Sequence, residues 1–130
     1  MSNRYLDWFR QAQADLQHAR HSVQSEDYEW SCFAAHQAAE KAIKAVYLKS
    51  GMDAWGHTLS VLVGNLPDTV ERVSAIIIQA ALVLDKYYIP TRYPNGFDSG
   101  APTDFYTQDE SLSAIKLAEA ILEYCENQID

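Results

Sequence analysis

Cysteine, proline and glycine are scarce in this chain: 130 residues hold two, four and five of them. Cys32 and Cys125 are too few for a disulfide framework and show no metal-type spacing, so a reducing, cytoplasmic setting is expected. Basic side chains are also in short supply. Ten Lys and Arg stand against 18 Asp and Glu, for a formal charge of -8. That excludes a protein that coats nucleic acid non-specifically, because such binding draws on many cations; it leaves room for a small basic site. No apolar run, Ala75-Ile76-Ile77-Ile78 included, approaches the ~20 residues that span a bilayer. The opening Met1-Ser2-Asn3-Arg4-Tyr5 lacks the apolar core of a signal peptide. There is no Gly-rich phosphate loop and no Ser-centred elbow, so no cofactor is expected. Histidine is absent after His57.

What remains is apolar content at a globular level, 48%, in a length that suits one domain over 1–130. From 4 to 24, Tyr5, Trp8, Phe9, Ala12, Leu16, Ala19 and Val23 recur at spacings of three and four, which predicts an amphipathic helix. Asp27 is placed to N-cap a second helix over 28–50, closed by Gly51. Its buried side is expected to hold Trp30, Phe33 and the alanines 34, 38, 42 and 45. The alanine content predicts close helix approach and a central position. A short helix over 58–65 follows the connector 53–57. Asp68 with Glu71 predicts the start of a fourth helix over about 69–88, containing Val70, Val73, Ile76, Ile77, Ala80, Ala81 and Leu84 at three-four spacing. Residues 89–106 hold three of the four prolines and four aromatics, which predicts a long ordered loop. Thr107-Gln108-Asp109-Glu110 reads as a capping box opening a last helix over 108–128, with Leu112, Ile115 and Ile121 among its apolar residues. The expected fold is all-α: an up-and-down bundle of four long helices plus one short helix.

The charge is unevenly distributed. From Thr107 onward, six acids face one base; the first 106 residues hold twelve acids and nine bases. On the second helix, Gln37, Lys41 and Lys44 share a face, with Glu40 four residues before Lys44. The two lysines could serve a phosphate or form a solvated, ion-paired surface. His57, at the start of the short helix, could meet an anion there or act in packing. Asp85 through Pro94 is the densest polar and aromatic stretch. Arg92, with Tyr88 and Tyr93 near it, suits phosphate contact beside base stacking; the alternative is a packed loop in which Asp85 and Arg92 pair. Asp15, His18 and His21 share a helix face but lack a fourth metal ligand, so no metal site is expected. Cys32 and His36 stand at i, i+4, and Cys32 reads as a core residue.

Three segments carry a family resemblance: Ala38-Ala39-Glu40-Lys41-Ala42-Ile43-Lys44-Ala45, Gly56-His57-Thr58-Leu59, and Asp85 to Pro94 with its Tyr-Ile-Pro-Thr-Arg-Tyr-Pro core. On these the chain resembles the HEPN family, the higher eukaryote and prokaryote nucleotide-binding domains, and within it the small stand-alone prokaryotic members. The resemblance implies an up-and-down helical bundle, commonly a homodimer. It also implies frequent pairing with a separate minimal nucleotidyltransferase in toxin–antitoxin or related systems. Many members are metal-independent ribonucleases whose motif is an Arg and a later His with four to six residues between them. Arg92 matches the Arg. Phe97, Asp98 and Ser99 occupy the places where the His would stand, so the acid–base imidazole is missing. The resulting expectation is a non-catalytic nucleotide- or RNA-binding module contacting its ligand through Lys41, Lys44, His57, Tyr88, Arg92 and Tyr93. Two other readings compete with it. One is a ribonuclease with a displaced general base such as His57; the other is a purely structural interaction protein.

Overall fold

A computed structural model describes residues 3–130, and within them the apolar three-four spacing becomes five α-helices with no strand. They are α1 (Tyr5–Gln24), α2 (Tyr28–Lys49), α3 (Leu59–Gly64), α4 (Ala75–Leu84) and α5 (Gln108–Ile129). Single turns of 3₁₀ helix occupy Asp85–Tyr87, Pro94–Gly96 and Pro102–Asp104.

Contacts between helix ends give the direction of each element. Ser31 donates to the Ala19 carbonyl, while Asn3 donates to that of Leu48, so α1 and α2 are antiparallel. Lys49, at the end of α2, reaches the Ile129 carbonyl at the end of α5 at 2.8 Å, so these two helices are parallel. The chain thus runs up, down, up, down through α1, α2, α4 and α5, as the sequence predicts. Helix α2 packs extensively on both α1 and α5. Its six alanines, 34, 35, 38, 39, 42 and 45, are all buried. Helix α5, which packs on α2, also buries small side chains fully, at Ala114, Ala118 and Cys125. Ala38→Leu would force extra methylenes into the closed core around α2 and cost about 1–3 kcal/mol.

The helix ends show where local signals sufficed. Thr107 and Glu110 form the capping box reciprocally: Glu110 N–H donates to Thr107 Oγ1 at 3.2 Å, and Thr107 N–H to Glu110 Oε1 at 3.1 Å. Gly51 has φ +76 and closes α2 in a Schellman motif, with Met52 N–H on the Tyr47 carbonyl and Gly51 N–H on that of Leu48. Asp27 takes the N-cap position of α2, but its side chain caps nothing.

The fourth helix differs most from expectation. It spans ten residues rather than the twenty predicted, and Ser74, not Asp68, caps it through a bond to Ile77 N–H. Helix α5 captures the segment ahead of it. Glu71 N–H donates to Gln128 Oε1 at 2.9 Å, and the Tyr124 hydroxyl donates to the Glu71 carbonyl. Backbone groups held this way are withdrawn from a helical ladder. Val70 and Val73 still pack against the core, which explains their apolar spacing. Ile76 and Leu112, apolar members of the predicted helices, are exposed at 69% and 44%.

The 89–106 loop is held by its own side chains. Thr91 is buried and donates to the carbonyls of Tyr87 and Tyr88. Phe97 and Phe105 stack at 4.5 Å between centroids. Among the described residues, no helix is long and apolar enough to cross a membrane.

Candidate functional site

Where α2, the start of α3 and the 85–93 segment meet, aromatic and charged side chains form a continuous ladder. Tyr88 is its centre. Its ring stacks on His57 at 4.6 Å, on His36 at 5.0 Å and on Phe33 at 6.1 Å. Beyond Phe33, the Arg92 guanidinium lies 4.8 Å from the Phe33 ring centre, 5.4 Å from Trp30 and 5.8 Å from Tyr93. Cation–π attraction of this kind holds a guanidinium flat while leaving its edge free to donate.

At the other end, Glu40 organises the polar contacts. Its carboxylate is buried and accepts from His57 Nδ1 at 2.9 Å and from Lys44 Nζ at 3.2 Å. A buried carboxylate is tolerable because both oxygens are paired. Accepting from Nδ1 fixes a proton there, which leaves Nε2 of the half-exposed His57 as the ring's remaining polar group. Gly56, at φ +92, lets the backbone turn just before His57, a conformation that L side chains rarely adopt.

His36 anchors this corner from beneath. It is fully buried; its Nε2 donates to the His57 carbonyl at 3.0 Å and its Nδ1 accepts from Gln37 at 3.1 Å. Burial disfavours the charged ring and lowers its pKa below 6.5; the His57 carbonyl and the Glu40 carboxylate oppose that only in part. His36 is therefore the neutral tautomer that both bonds require.

Asp85 does not pair with Arg92. Its carboxylate accepts from the N–H groups of Leu59 and Ser60 and from the Ser60 hydroxyl at 2.6 Å. It thereby caps α3 from a distance and ties the His57 turn to the end of α4. This leaves Arg92 with no carboxylate partner among the described residues.

The predicted residues thus divide. Lys44, His57, Tyr88, Arg92 and Tyr93 belong to one ladder. Lys41 does not: it turns to α1 and pairs with Asp15. A three-residue step along a helix rotates a side chain by roughly 60° short of a full turn, enough to send the two lysines to different neighbours. Sequence reasoning missed Phe33 and Trp30, which it assigned to the core. Trp30 is 45% exposed and lies beside Arg92. Their i, i+3 spacing was the available signal, but it does not distinguish a buried stripe from a partly open one. Cys32 and His36 make no thiolate pair: burial and the nearby Glu110 and Glu29 push the Cys32 thiol up to about 12. Among the described residues, no group of three or more His, Cys, Asp or Glu could hold a metal.

Comparison with known proteins follows the same lines. The chain is similar to the crystal structure of TT1696 from Thermus thermophilus, with 46% identity, coverage of 98% of this chain and 99% of that one, and a TM-score of 0.94. It is similar to ST0689, described as an archaeal HEPN homologue, at 37% identity over the whole of both chains and a TM-score of 0.83. An HEPN domain protein of Thermotoga maritima, tm0613, matches at 34% identity, 93% and 95% coverage and a TM-score of 0.74. A protein of Methanocaldococcus jannaschii named "Putative toxin MJ1304" is 25% identical, over 89% of this chain and 82% of its own length. The family model described as HEPN domain matches residues 5–128. Together with the helical ladder built on the Glu40, His57 and Arg92 segments, these matches mean that the chain belongs to the HEPN family.

Proposed function

We propose that this protein is a non-catalytic nucleotide- or RNA-binding module of a toxin–antitoxin-type system. One observation carries the reading: Arg92 lies exposed across Trp30, Phe33 and Tyr93 with no carboxylate to neutralise it. Lys41 and Lys44 are both already paired with acids. A flat guanidinium beside open aromatic rings suits a phosphate with a base next to it. The toxin-type role rests on family membership and on the name of the M. jannaschii relative.

The motif His is missing after Arg92, which supports a binder over a cutter. We further propose a homodimer that works with a minimal nucleotidyltransferase in the cytoplasm. Exposed Val61, Ile76 and Leu82 supply apolar area for association. Two free, buried cysteines suit a reducing compartment.

Titration of short mixed-sequence RNAs into wild type and Arg92→Ala tests the binding reading. The expected result is binding by the wild type, weakened at least about ten-fold in the variant. Absence of binding by the wild type, alone or with its partner, would sink it. Light scattering tests the dimer: a species of only 14.7 kDa at micromolar concentration refutes it.

A second reading has its own observation. The Glu40–His57 pair orients an imidazole as a general base is oriented. On that reading His57 would replace the missing His, and RNA cleavage would disappear in His57→Ala. Phe33 and Tyr88 stand between Arg92 and His57 in the ladder. The two groups are thus set to contact separate parts of a ligand, which favours binding.

A further inference from the structure

A hollow of about 270 Å³ opens beside Arg92, walled by Trp30, Thr91, Pro94 and Pro102. Glu29, in the first turn of α2, also lines it. This glutamate is nine-tenths buried, yet its carboxylate has no hydrogen-bond or ion-pair partner among the described residues. No fully buried side-chain oxygen among the described residues lacks a partner, so the unpaired Glu29 oxygens keep some access to solvent, and Glu29 is one of the residues that line the hollow. The N-terminal end of α2 favours a negative charge at this position. It does not supply the hydrogen bonds that a carboxylate leaves behind in water.

The chemistry of the lining selects the ligand. A carboxylate only accepts hydrogen bonds and presents two oxygens side by side. Among the standard bases, guanine alone offers two adjacent donors on its Watson–Crick edge, N1–H and the 2-amino group. Adenine and cytosine each present one exocyclic amino group next to a ring acceptor, and uracil one N–H between two carbonyls. Trp30 and the two prolines give the flat apolar walls that a base needs. The volume lies just below the range of about 300–1,000 Å³ typical of larger ligands.

We propose that this hollow is a guanine-selective base pocket, in which Glu29 accepts from N1–H and the 2-amino group. The proposal rests on the reading of Arg92 as the neighbouring phosphate contact, and it names the preferred substrate as a guanine nucleotide or a guanine-bearing RNA.

Calorimetric titration of the wild-type protein with 5′-GMP, IMP, AMP, CMP and UMP tests it. IMP keeps N1–H and lacks the 2-amino group. GMP is expected to bind about ten-fold tighter than IMP and than the other three. Glu29→Gln is expected to bring GMP down to the affinity of IMP. Equal affinity for GMP and IMP overturns the proposal, and that contrast needs no variant to fold. If all five nucleotides bind equally and Arg92→Ala abolishes binding, guanine selection fails while the nucleotide-binding reading stands. If none of the five binds, the guanine pocket fails, and the titration with short RNAs decides the binding reading separately.

Discussion

The imidazole of His57 lies nearly parallel to the ring of Tyr88, with 4.6 Å between centroids and 22° between planes. The stack joins the turn before α3 to the segment after α4, and the buried Glu40 holds the Nδ1 edge of His57 from α2. Three stretches separated in sequence thus share one small surface.

Glu40→Gln should loosen that surface. The neutral amide no longer attracts Lys44 or fixes the Nδ1 proton of His57. Removing the charge from a partly buried network typically costs about 3 kcal/mol. Urea unfolding should show a lower midpoint with an unchanged slope. RNA affinity should fall as His57 loses its orientation. Unchanged stability would mean that Glu40 does not hold this corner.

Asp85→Ala should destabilise through α3 rather than through Arg92. It strips the partner from the Leu59 and Ser60 N–H groups and from the Ser60 hydroxyl. The expected loss is about 2–3 kcal/mol. Hydrogen exchange should rise first at Leu59 and Ser60. If Arg92→Ala matched this loss, the assignment of Asp85 to α3 would be wrong.

His36 should make stability depend on pH. Its ordinary pKa is 6.5, and burial lowers it in the native state. Between those two values the unfolded chain binds a proton that the native chain refuses. The stabilisation is fully present above pH 6.5 and is lost as pH falls toward the lowered native value. Urea midpoints between pH 7.5 and 5 should decline more steeply in wild type than in His36→Gln. Equal slopes would remove His36 as the cause.

Both thiols should resist alkylation in the folded protein. Cys32 and Cys125 are buried and unpaired, and burial pushes both thiols up, Cys32 to about 12. The thiolate is the reactive form. At pH 8, iodoacetamide should label them at the rate of unfolding, and both together. Rapid labelling of one alone would point to local opening around it.

Lys41→Ala should separate from Arg92→Ala. Lys41 is committed to Asp15, partly buried, so its loss should cost about 1 kcal/mol of stability. RNA affinity should change less than two-fold. An effect on affinity as large as that of Arg92→Ala would return Lys41 to the site.

The helices were legible because their cause is local. Three-four apolar spacing, the Thr107–Glu110 box and Gly51 act within a few residues, and the structure contains all of them. The bundle followed from the same stripes, and the alanines of α2 placed it at the centre because small side chains permit close approach. The motif segments were also legible, but their partners were not. Asp85 was as well placed to meet Arg92 as to cap α3. Nothing in the sequence showed that α5 would capture the backbone of Glu71 and shorten α4. Trp30 and Phe33 had the spacing of core residues, and only the path of the 89–106 loop decided which rings would stay open beside Arg92. The sequence by itself determined the helices, their order and the segments that carry the chemistry. The tertiary structure alone decided which charges are spent on neighbours and which remain free. Ion pairs and stacks form between residues as far apart as Lys41 and Asp15 or Tyr88 and Phe33, whose meeting depends on packing rather than on spacing along the chain.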